Sequence, residues 1–226
     1  MKCVVLQSCD TNYDEVISIT SPVNRKYAEY HGAEYILHKH DQDHNRHPSW
    51  NKIYSTLDLI WSNRYDYIFF LDGDAVVTDI TRNIFDLAKD SPDILLHLCD
   101  DLRRKRELDS NWGVFLIKSD RLMIQFLEKI LHDPAINQEE QPYIRDFYHK
   151  GRDWEQSVIQ YEFAKDVSYY KKIVKIYHGQ TFNHYKGNWV YHPCYPDISD
   201  KQKAKLLKRR VSQLSIDQKL YVGYDF

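Results

Sequence analysis

Residues 67–78 read YIFFLDGDAVVT, an apolar run that ends in two aspartates, Asp72 and Asp74, and then becomes apolar again. Residues 67–71 have the length and composition of a buried strand. Ionised carboxylates at the end of such a strand are costly unless a cation or hydrogen-bond donors compensate them. Oxygen ligands at this spacing suit Mg²⁺ or Mn²⁺. The stretch therefore predicts a divalent-cation site; the alternative is a simple strand-end turn, where Asp and Gly are common.

Length and composition indicate one large soluble domain. The 226 residues include 42% hydrophobic side chains, enough for a core, and the net charge of −2 gives no sign of nucleic-acid binding. We expect a folded domain over residues 1–198 and a basic C-terminal helix or tail over residues 199–226. The ending YVGYDF has no obvious stop signal, which is compatible with a longer polypeptide that carries further domains.

Cysteine usage and the N-terminus predict a cytoplasmic protein. The four cysteines form no C-x-x-C pair and no disulfide-dense pattern, so we expect reduced thiols in a reducing compartment. The N-terminus, MKCVVLQSCD, leads directly into a strand and lacks the apolar region of a signal peptide. No apolar run reaches the roughly 18 residues that a membrane-spanning helix requires.

Strand and helix patterns alternate along the chain. Apolar runs predict strands at residues 3–8, 34–38, 67–71, 93–98, 111–118 and 174–177. Helical periodicity appears between them, at residues 23–31, 52–63, 83–89, 120–132 and 155–163. Residues 178–197 predict a loop with little regular structure. The alternation is typical of an α/β sheet with helices on both faces.

The C-terminal tail is strongly basic. Residues 199–214 carry six cations, at Lys201, Lys203, Lys205, Lys208, Arg209 and Arg210. A solvated helix is the simpler interpretation. A basic surface that contacts an anionic membrane peripherally, or a partner, is the alternative.

Phosphate binding would need a cation in this chain. The sequence has neither G-x-G-x-x-G nor G-x-x-x-x-G-K-[ST], so dinucleotide binding and a kinase-like phosphate loop are not supported. A metal at Asp72 and Asp74 would have to hold the phosphates. A diphosphate leaves readily when a divalent cation neutralises its developing charge. This chemistry suits a transferase that uses a nucleotide sugar.

Four segments together resemble a known enzyme family. They are HPSWNK (47–52), FLDGDAVV (70–77), NWGVFLIKS (111–119) and DWEQSVI (153–159), the last followed by WVYHPC (189–194). In order and spacing they are similar to glycosyltransferases of the GT-A fold. The nearest resemblance is to the retaining family that contains plant xyloglucan xylosyltransferases, fungal α-galactosyltransferases and virus-encoded relatives.

The resemblance implies a fold and a reaction. The expected fold is a GT-A-like single α/β domain whose mostly parallel mixed central sheet is flanked by helices. The expected activity moves a sugar from a nucleoside diphosphate donor, a UDP-sugar by preference, to a hydroxyl of a glycan or glycoprotein acceptor, with retention of configuration. The cofactor would be Mn²⁺ or Mg²⁺, held by Asp72, Asp74 and His192, with His184 as the competing histidine.

The resemblance also implies donor-binding residues, namely Gln7, Ser8, Tyr13, Lys52, Asp72, Asn111 and Gly113. The Tyr13 ring would stack on the base, Asp72 would bridge the metal and the ribose, and Gly113 would let the backbone approach the sugar. Each also has a structural interpretation. Lys52 could be a surface lysine on a helix, and residues 111–113 a strand-entry turn.

Catalytic groups are expected just before a predicted helix. By the resemblance, Glu155 and Gln156 would lie beside the anomeric carbon, where a carboxylate stabilises positive charge or acts as nucleophile or base. Asp153 could take this role instead. In the structural alternative, Asp153 caps the helix and Glu155 complements the helix dipole in the first turn.

Two other functions compete with the transferase. FLDGDAVVTD is superficially similar to the nucleophile motif of haloacid-dehalogenase-type phosphatases, with Asp72 as phosphoryl acceptor. That motif lies on the first strand of its family, whereas two predicted strands precede it here, and Val76 stands where the motif requires Thr. A catalytically silent sugar- or nucleotide-binding module is the second rival. It would not need the carboxylates of Asp72, Asp74 and Glu155.

Overall fold

The computed structural model describes residues 1–40, 47–101, 107–132, 155–179, 181–194 and 198–214. Its strands are β1 (Cys3–Asp10), β2 (Glu34–His40), β3 (Tyr67–Asp72), β4 (Val76–Val77), β5 (Leu96–Asp100), β6 (Ser110–Lys118), β7 (Val174–Tyr177) and β8 (Val190–Tyr191). Its helices are α1 (Asp14–Tyr30), α2 (Asn51–Trp61), α3 (Asp86–Asp90), α4 (Arg121–His132), α5 (Glu155–Lys165), α6 (Val167–Ile173) and α7 (Asp200–Ser212).

A six-stranded sheet in the order β2-β1-β3-β6-β5-β7 forms the centre of the fold. Strand β1 pairs in parallel with β2 and β3, and β5 pairs in parallel with β7, whereas β6 is antiparallel to both β3 and β5. The predicted mostly parallel mixed sheet is therefore confirmed. The carboxyl ends of β1 and β3 and the start of β6 meet at one edge of the sheet, the usual location of ligand sites in α/β folds.

Helices cover both faces of this sheet, as predicted. Ile68 and Phe70 of β3 lie in one buried cluster, which also contains residues from α2, α4 and α5. Phe69 and Leu71 lie in a second cluster, which contains Tyr27 of α1. Alternate residues of one strand thus face opposite layers, which explains the continuous apolar run before Asp72.

Helix α1 begins earlier than the sequence predicts. The predicted start at residue 23 follows Pro22, which ordinarily disfavours the helix interior. In the structure α1 begins at Asp14 and contains Pro22. The Asp10 side chain accepts a hydrogen bond from the Asn12 backbone and caps a short 3-10 turn that leads into the helix. The polar segment after β1 is therefore mostly helical, and Tyr13 lies at its entry.

Residues 178–197, predicted to be irregular, contain the short strand β8. It pairs with β4 in antiparallel register, with Val76 opposite Tyr191 and Val77 opposite Val190. Two-residue strands have too little pattern to be recognised in sequence. This small ladder brings the chain after Asp74 next to the chain before His192.

The basic tail forms helix α7, which packs against α1. Ser199 and Gln202 make a capping box at its start. Ala204, Leu207 and Val211 share a buried cluster with α1 residues. The helix is therefore only partly solvated, and residues 215–226 of the predicted tail lie outside the described residues. Among the described helices, none has both the length and the apolarity to cross a membrane.

Candidate cation and donor site

Asp72, Asp74 and His192 converge at the carboxyl edge of the sheet. One ligand atom from each lies within 4.8 Å of the others. Asp72 ends β3 and His192 follows β8, so the β4–β8 ladder joins the two parts of the cluster. The predicted trio of ligands is therefore assembled by tertiary structure.

The ring of His192 is held in one orientation. Its Nδ1 lies 2.8 Å from Asn183 Oδ1, and the Asn183 amide nitrogen donates to Asn111 Oδ1 at 2.8 Å. Because Asn183 Oδ1 only accepts, Nδ1 carries a hydrogen and donates it to that oxygen. Nε2 then faces the carboxylates, 3.1 Å from Asp74 Oδ1. His184 points elsewhere, since its Nδ1 accepts from the Lys186 backbone at 2.9 Å.

The donor set of this cluster fits a divalent cation. Carboxylate oxygens suit Mg²⁺ and Mn²⁺, and an imidazole nitrogen is a common transition-metal ligand. Ligands about 2.1 Å from a cation lie at most about 4.2 Å apart, so a contraction of under roughly 1 Å would complete the site. The three side chains can thus hold Mn²⁺ or Mg²⁺ with little rearrangement.

Lys52 is buried between two carboxylates rather than exposed on its helix. Its ammonium lies 2.9 Å from Asp72 and 2.9 Å from Glu155, with only 7% of the side chain exposed. It also donates to the Trp112 carbonyl at 3.2 Å. Burial lowers the pKa of Lys52, but the two carboxylates outweigh burial and raise the pKa above its ordinary value. Lys52 is therefore a fixed positive charge between Asp72, a proposed metal ligand, and Glu155, a proposed catalytic residue.

Glu155 and Gln156 open helix α5 and are both buried. The Gln156 amide is fixed at both ends, since its oxygen accepts from the Trp112 backbone at 3.3 Å and its nitrogen donates to Asp101 at 2.7 Å. Asp153, the alternative catalytic residue and proposed cap, lies outside the described residues. The structure thus places Glu155 and Gln156 beside the start of β6 and leaves Asp153 as a prediction.

Gln7 and Ser8, expected to hold the base and ribose, lie within the fold. Gln7 is fully buried, and its amide nitrogen donates to Thr20 at 3.0 Å and to the Gly73 carbonyl at 3.1 Å. Its oxygen accepts from the Tyr35 hydroxyl at 2.7 Å. Ser8 lies opposite Asp72 in the β1–β3 register. In this geometry Gln7 shapes the site by supporting the backbone of the Asp-Gly-Asp turn.

Tyr13 reaches the cation cluster through its hydroxyl. That group donates to Asp74 Oδ2 at 3.4 Å, and the ring edge lies against Gly73, where an added Cβ would be 2.9 Å from Tyr13 Cδ1. Burial, reinforced by Asp74, raises the pKa of the Tyr13 phenol far above its ordinary value. The Tyr13 hydroxyl is thus a neutral hydrogen-bond donor at the cluster.

Lys203 also belongs to the site, although its sequence pattern indicates only a cation of the basic tail. Its ammonium lies 2.6 Å from Asp74 Oδ2 and donates to the Tyr13 hydroxyl at 2.7 Å. Burial alone would raise the pKa of Asp74, but Lys203 and His192 lower it well below its ordinary value. Lys203 precedes buried Ala204 and lies one turn from buried Leu207, so helical periodicity could have placed it beside the buried face.

Solved structures, rather than related sequences, identify the fold of this chain. The sequence matches no family model and no curated protein. A glycosyltransferase involved in the glycosylation of the major capsid of PBCV-1 is similar, with a TM-score of 0.68 and 13% identity over 92% of this chain and 100% of that chain. The chain has the GT-A glycosyltransferase fold.

Two further solved structures are similar to this chain. Apo GlyE of Streptococcus pneumoniae TIGR4 has a TM-score of 0.58 and 12% identity, over 99% of this chain and 62% of that chain. Apo mouse xyloside xylosyltransferase 1 has a TM-score of 0.55 and 10% identity, over 88% of this chain and 100% of that chain. At such identities the likeness establishes the architecture, and function must be argued from the site.

The side chains of His192 and Asp72 pack closely against Gly113, so a substitution there tests the cation site. A Cβ at Gly113 would lie 2.1 Å from His192 Cε1 and 2.7 Å from Asp72 Oδ2. We expect Gly113→Ala to displace both side chains and weaken Mn²⁺ binding at least about ten-fold, the scale seen when ligand orientation is disturbed. Titration calorimetry with Mn²⁺ measures this change.

Gly32→Ala is the matched control for that substitution. A Cβ at Gly32 meets nothing within 4 Å, but φ there is +66°. Its cost should be backbone strain on the order of 1 kcal/mol, with Mn²⁺ affinity unchanged. Equal Mn²⁺ affinities in the wild type and Gly113→Ala would contradict the packing argument.

Proposed function

We propose that this chain is a metal-dependent glycosyltransferase that moves a sugar from a nucleoside diphosphate donor, preferably a UDP-sugar, to a hydroxyl of a glycan acceptor. The observation that carries the proposal is the convergence of Asp72, Asp74 and His192 at the sheet edge of a GT-A fold. Lys52 and Glu155 adjoin this cluster as a buried ion pair.

The donor class follows from the chemistry of the cluster. The chain has no glycine-rich phosphate loop, so a bound diphosphate would have to be held by a cation at Asp72, Asp74 and His192. When bound, Mn²⁺ or Mg²⁺ neutralises the charge that develops on a departing diphosphate. A nucleoside diphosphate sugar is a donor whose leaving group needs this neutralisation.

The protein's own groups provide the rest of the reaction. The Glu155 carboxylate lies 2.9 Å from the Lys52 ammonium, and a carboxylate in this position can stabilise positive charge at the anomeric carbon. The Gln156 amide is fixed by Trp112 and Asp101, so its oxygen keeps one position during transfer. Retention of configuration is the stereochemical outcome that the family resemblance implies for this reaction.

Nucleotide binding tests the proposal. We expect titration calorimetry to show micromolar binding of UDP in the presence of Mn²⁺ and its loss in EDTA, with weaker binding of GDP. Tight binding of GDP instead would change the donor base and leave the reaction class intact. If neither nucleotide bound with Mn²⁺, the donor proposal would be wrong.

A further inference from the structure

Lys203 extends from helix α7 into the candidate cation cluster. Its ammonium contacts Asp74 Oδ2 at 2.6 Å and the Tyr13 hydroxyl at 2.7 Å. The opposite oxygen of Asp74 faces His192 Nε2 at 3.1 Å. Both oxygens of this carboxylate therefore already have partners, and one partner is a positive charge.

Each aspartate of the cluster has its own lysine. Lys52 pairs with Asp72, whereas Lys203 pairs with Asp74, whose side chain is only 7% exposed. A carboxylate buried to this degree requires a counter-charge. Lys203 supplies that counter-charge from the protein itself.

The two lysines differ in how tightly their ammonium groups are held against the aspartates. Lys52 is held by three polar partners and is 7% exposed. The Lys203 side chain is 17% exposed, and within the described part of the chain its ammonium contacts the side chains of Asp74 and Tyr13. Helix α7 itself is anchored on α1 by Ala204, Leu207 and Val211. Displacement of the Lys203 ammonium is therefore compatible with an unmoved helix α7.

A cation bound to Asp74 and His192 would lie close to this ammonium. The cation and Lys203 would then compete for the same carboxylate, and their like charges would repel each other. We propose that Lys203 is the resident counter-ion of the cation site, and that a divalent cation binds by displacing its ammonium from Asp74. The inference deepens the proposed function, because it rests on the same cation site.

Because the cation and Lys203 compete for Asp74, removal of Lys203 should raise the affinity of the site for Mn²⁺. In Lys203→Met the cation no longer has to displace a like charge, so Mn²⁺ should bind roughly ten-fold more tightly than to the wild type. The metal-free variant should melt at a lower temperature, because Asp74 has lost its counter-charge. Added Mn²⁺ should therefore raise its melting temperature more than that of the wild type.

Mn²⁺ alone is the probe, without nucleotide or sugar. Free Mn²⁺ is followed by electron paramagnetic resonance during titration of the wild type, Lys203→Met, Lys203→Gln and Lys208→Met. Lys208 is the control, since it lies on the same helix and pairs with Glu15 at the surface. The Lys208→Met variant should bind Mn²⁺ as the wild type does.

The outcomes separate this inference from the proposed function. If the wild type binds no Mn²⁺, the cation site itself is wrong. If the wild type binds Mn²⁺ but neither Lys203 variant binds it more tightly, the site stands and the counter-ion role is overturned.

Acetylation footprinting of the wild type gives a second measurement that needs no variant. Acetylation of Lys203 should increase when Mn²⁺ is added, while that of Lys208 stays constant. Unchanged or reduced labelling of Lys203 at saturating Mn²⁺ would contradict displacement, even if the Lys203 variants failed to fold.

Discussion

Asp74→Ala should abolish Mn²⁺-dependent nucleotide binding and leave the fold intact. The substitution removes the carboxylate that faces His192 at 3.1 Å and removes one of the three candidate ligands. Changes outside the ligand set cost about 10–100-fold in metal affinity, so loss of a ligand should exceed about 100-fold. Titration of UDP with Mn²⁺ and with EDTA measures the effect, and far-ultraviolet circular dichroism monitors the fold.

Asp86→Ala is the control for this prediction. Asp86 lies at the surface, where it pairs with Lys89 within helix α3, and its loss should leave nucleotide binding unchanged. Asp74→Asn keeps the side-chain volume and should also lose Mn²⁺ dependence. If either Asp74 variant retained Mn²⁺-dependent affinity for UDP, the cation would have to bind elsewhere.

Lys52→Met should cause a large loss of stability as well as of activity. The lysine is buried and lies 2.9 Å from both Asp72 and Glu155, so its removal leaves two like charges facing each other without compensation. Breaking a buried ion pair by removing one partner costs about 3–5 kcal/mol. Chemical denaturation of the metal-free protein measures this difference in the free energy of unfolding.

Two comparisons make that prediction specific. Lys26→Met removes an exposed lysine that pairs with Glu29, and should change stability by no more than about 1 kcal/mol. The double variant Lys52→Met/Glu155→Gln should recover part of the loss, because one uncompensated charge has been removed. Additive effects of the two single substitutions would show that the pair is not energetically coupled.

The sequence predicted the sheet well because buried strands carry a strong local pattern. The apolar run before Asp72 and the segment at 111–118 became adjacent strands, with Phe70 opposite Phe115. A local pattern also indicated Asp72 and Asp74, because carboxylates at the end of a buried apolar strand are costly unless they are compensated. The family resemblance supplied His192, Lys52 and Glu155, which no local pattern would have grouped.

Other parts of the site depend on contacts that a single sequence does not display. Asn183 has no distinguishing neighbours in sequence, and its role follows from its hydrogen bonds to His192 and Asn111. Lys203 is one of several cations in a basic helix, and its contact with Asp74 depends on the packing of α7 against α1. The early start of α1 differs from the prediction because Val16 and Ile19, which precede Pro22, are buried against the C-terminal helix, a tertiary contact that the sequence does not display.

The short β4–β8 ladder also determines the stage of folding at which Asp72, Asp74 and His192 come together. It joins strands that are about half the chain apart in sequence, and the contact between Asp74 and His192 spans 118 residues. Contacts of such separation form late, after local elements and neighbouring strands are in place. During synthesis the N-terminal strands emerge long before residue 192 leaves the ribosome. A nascent chain therefore carries two aspartates without their histidine, and the three side chains can meet only after residue 192 has emerged.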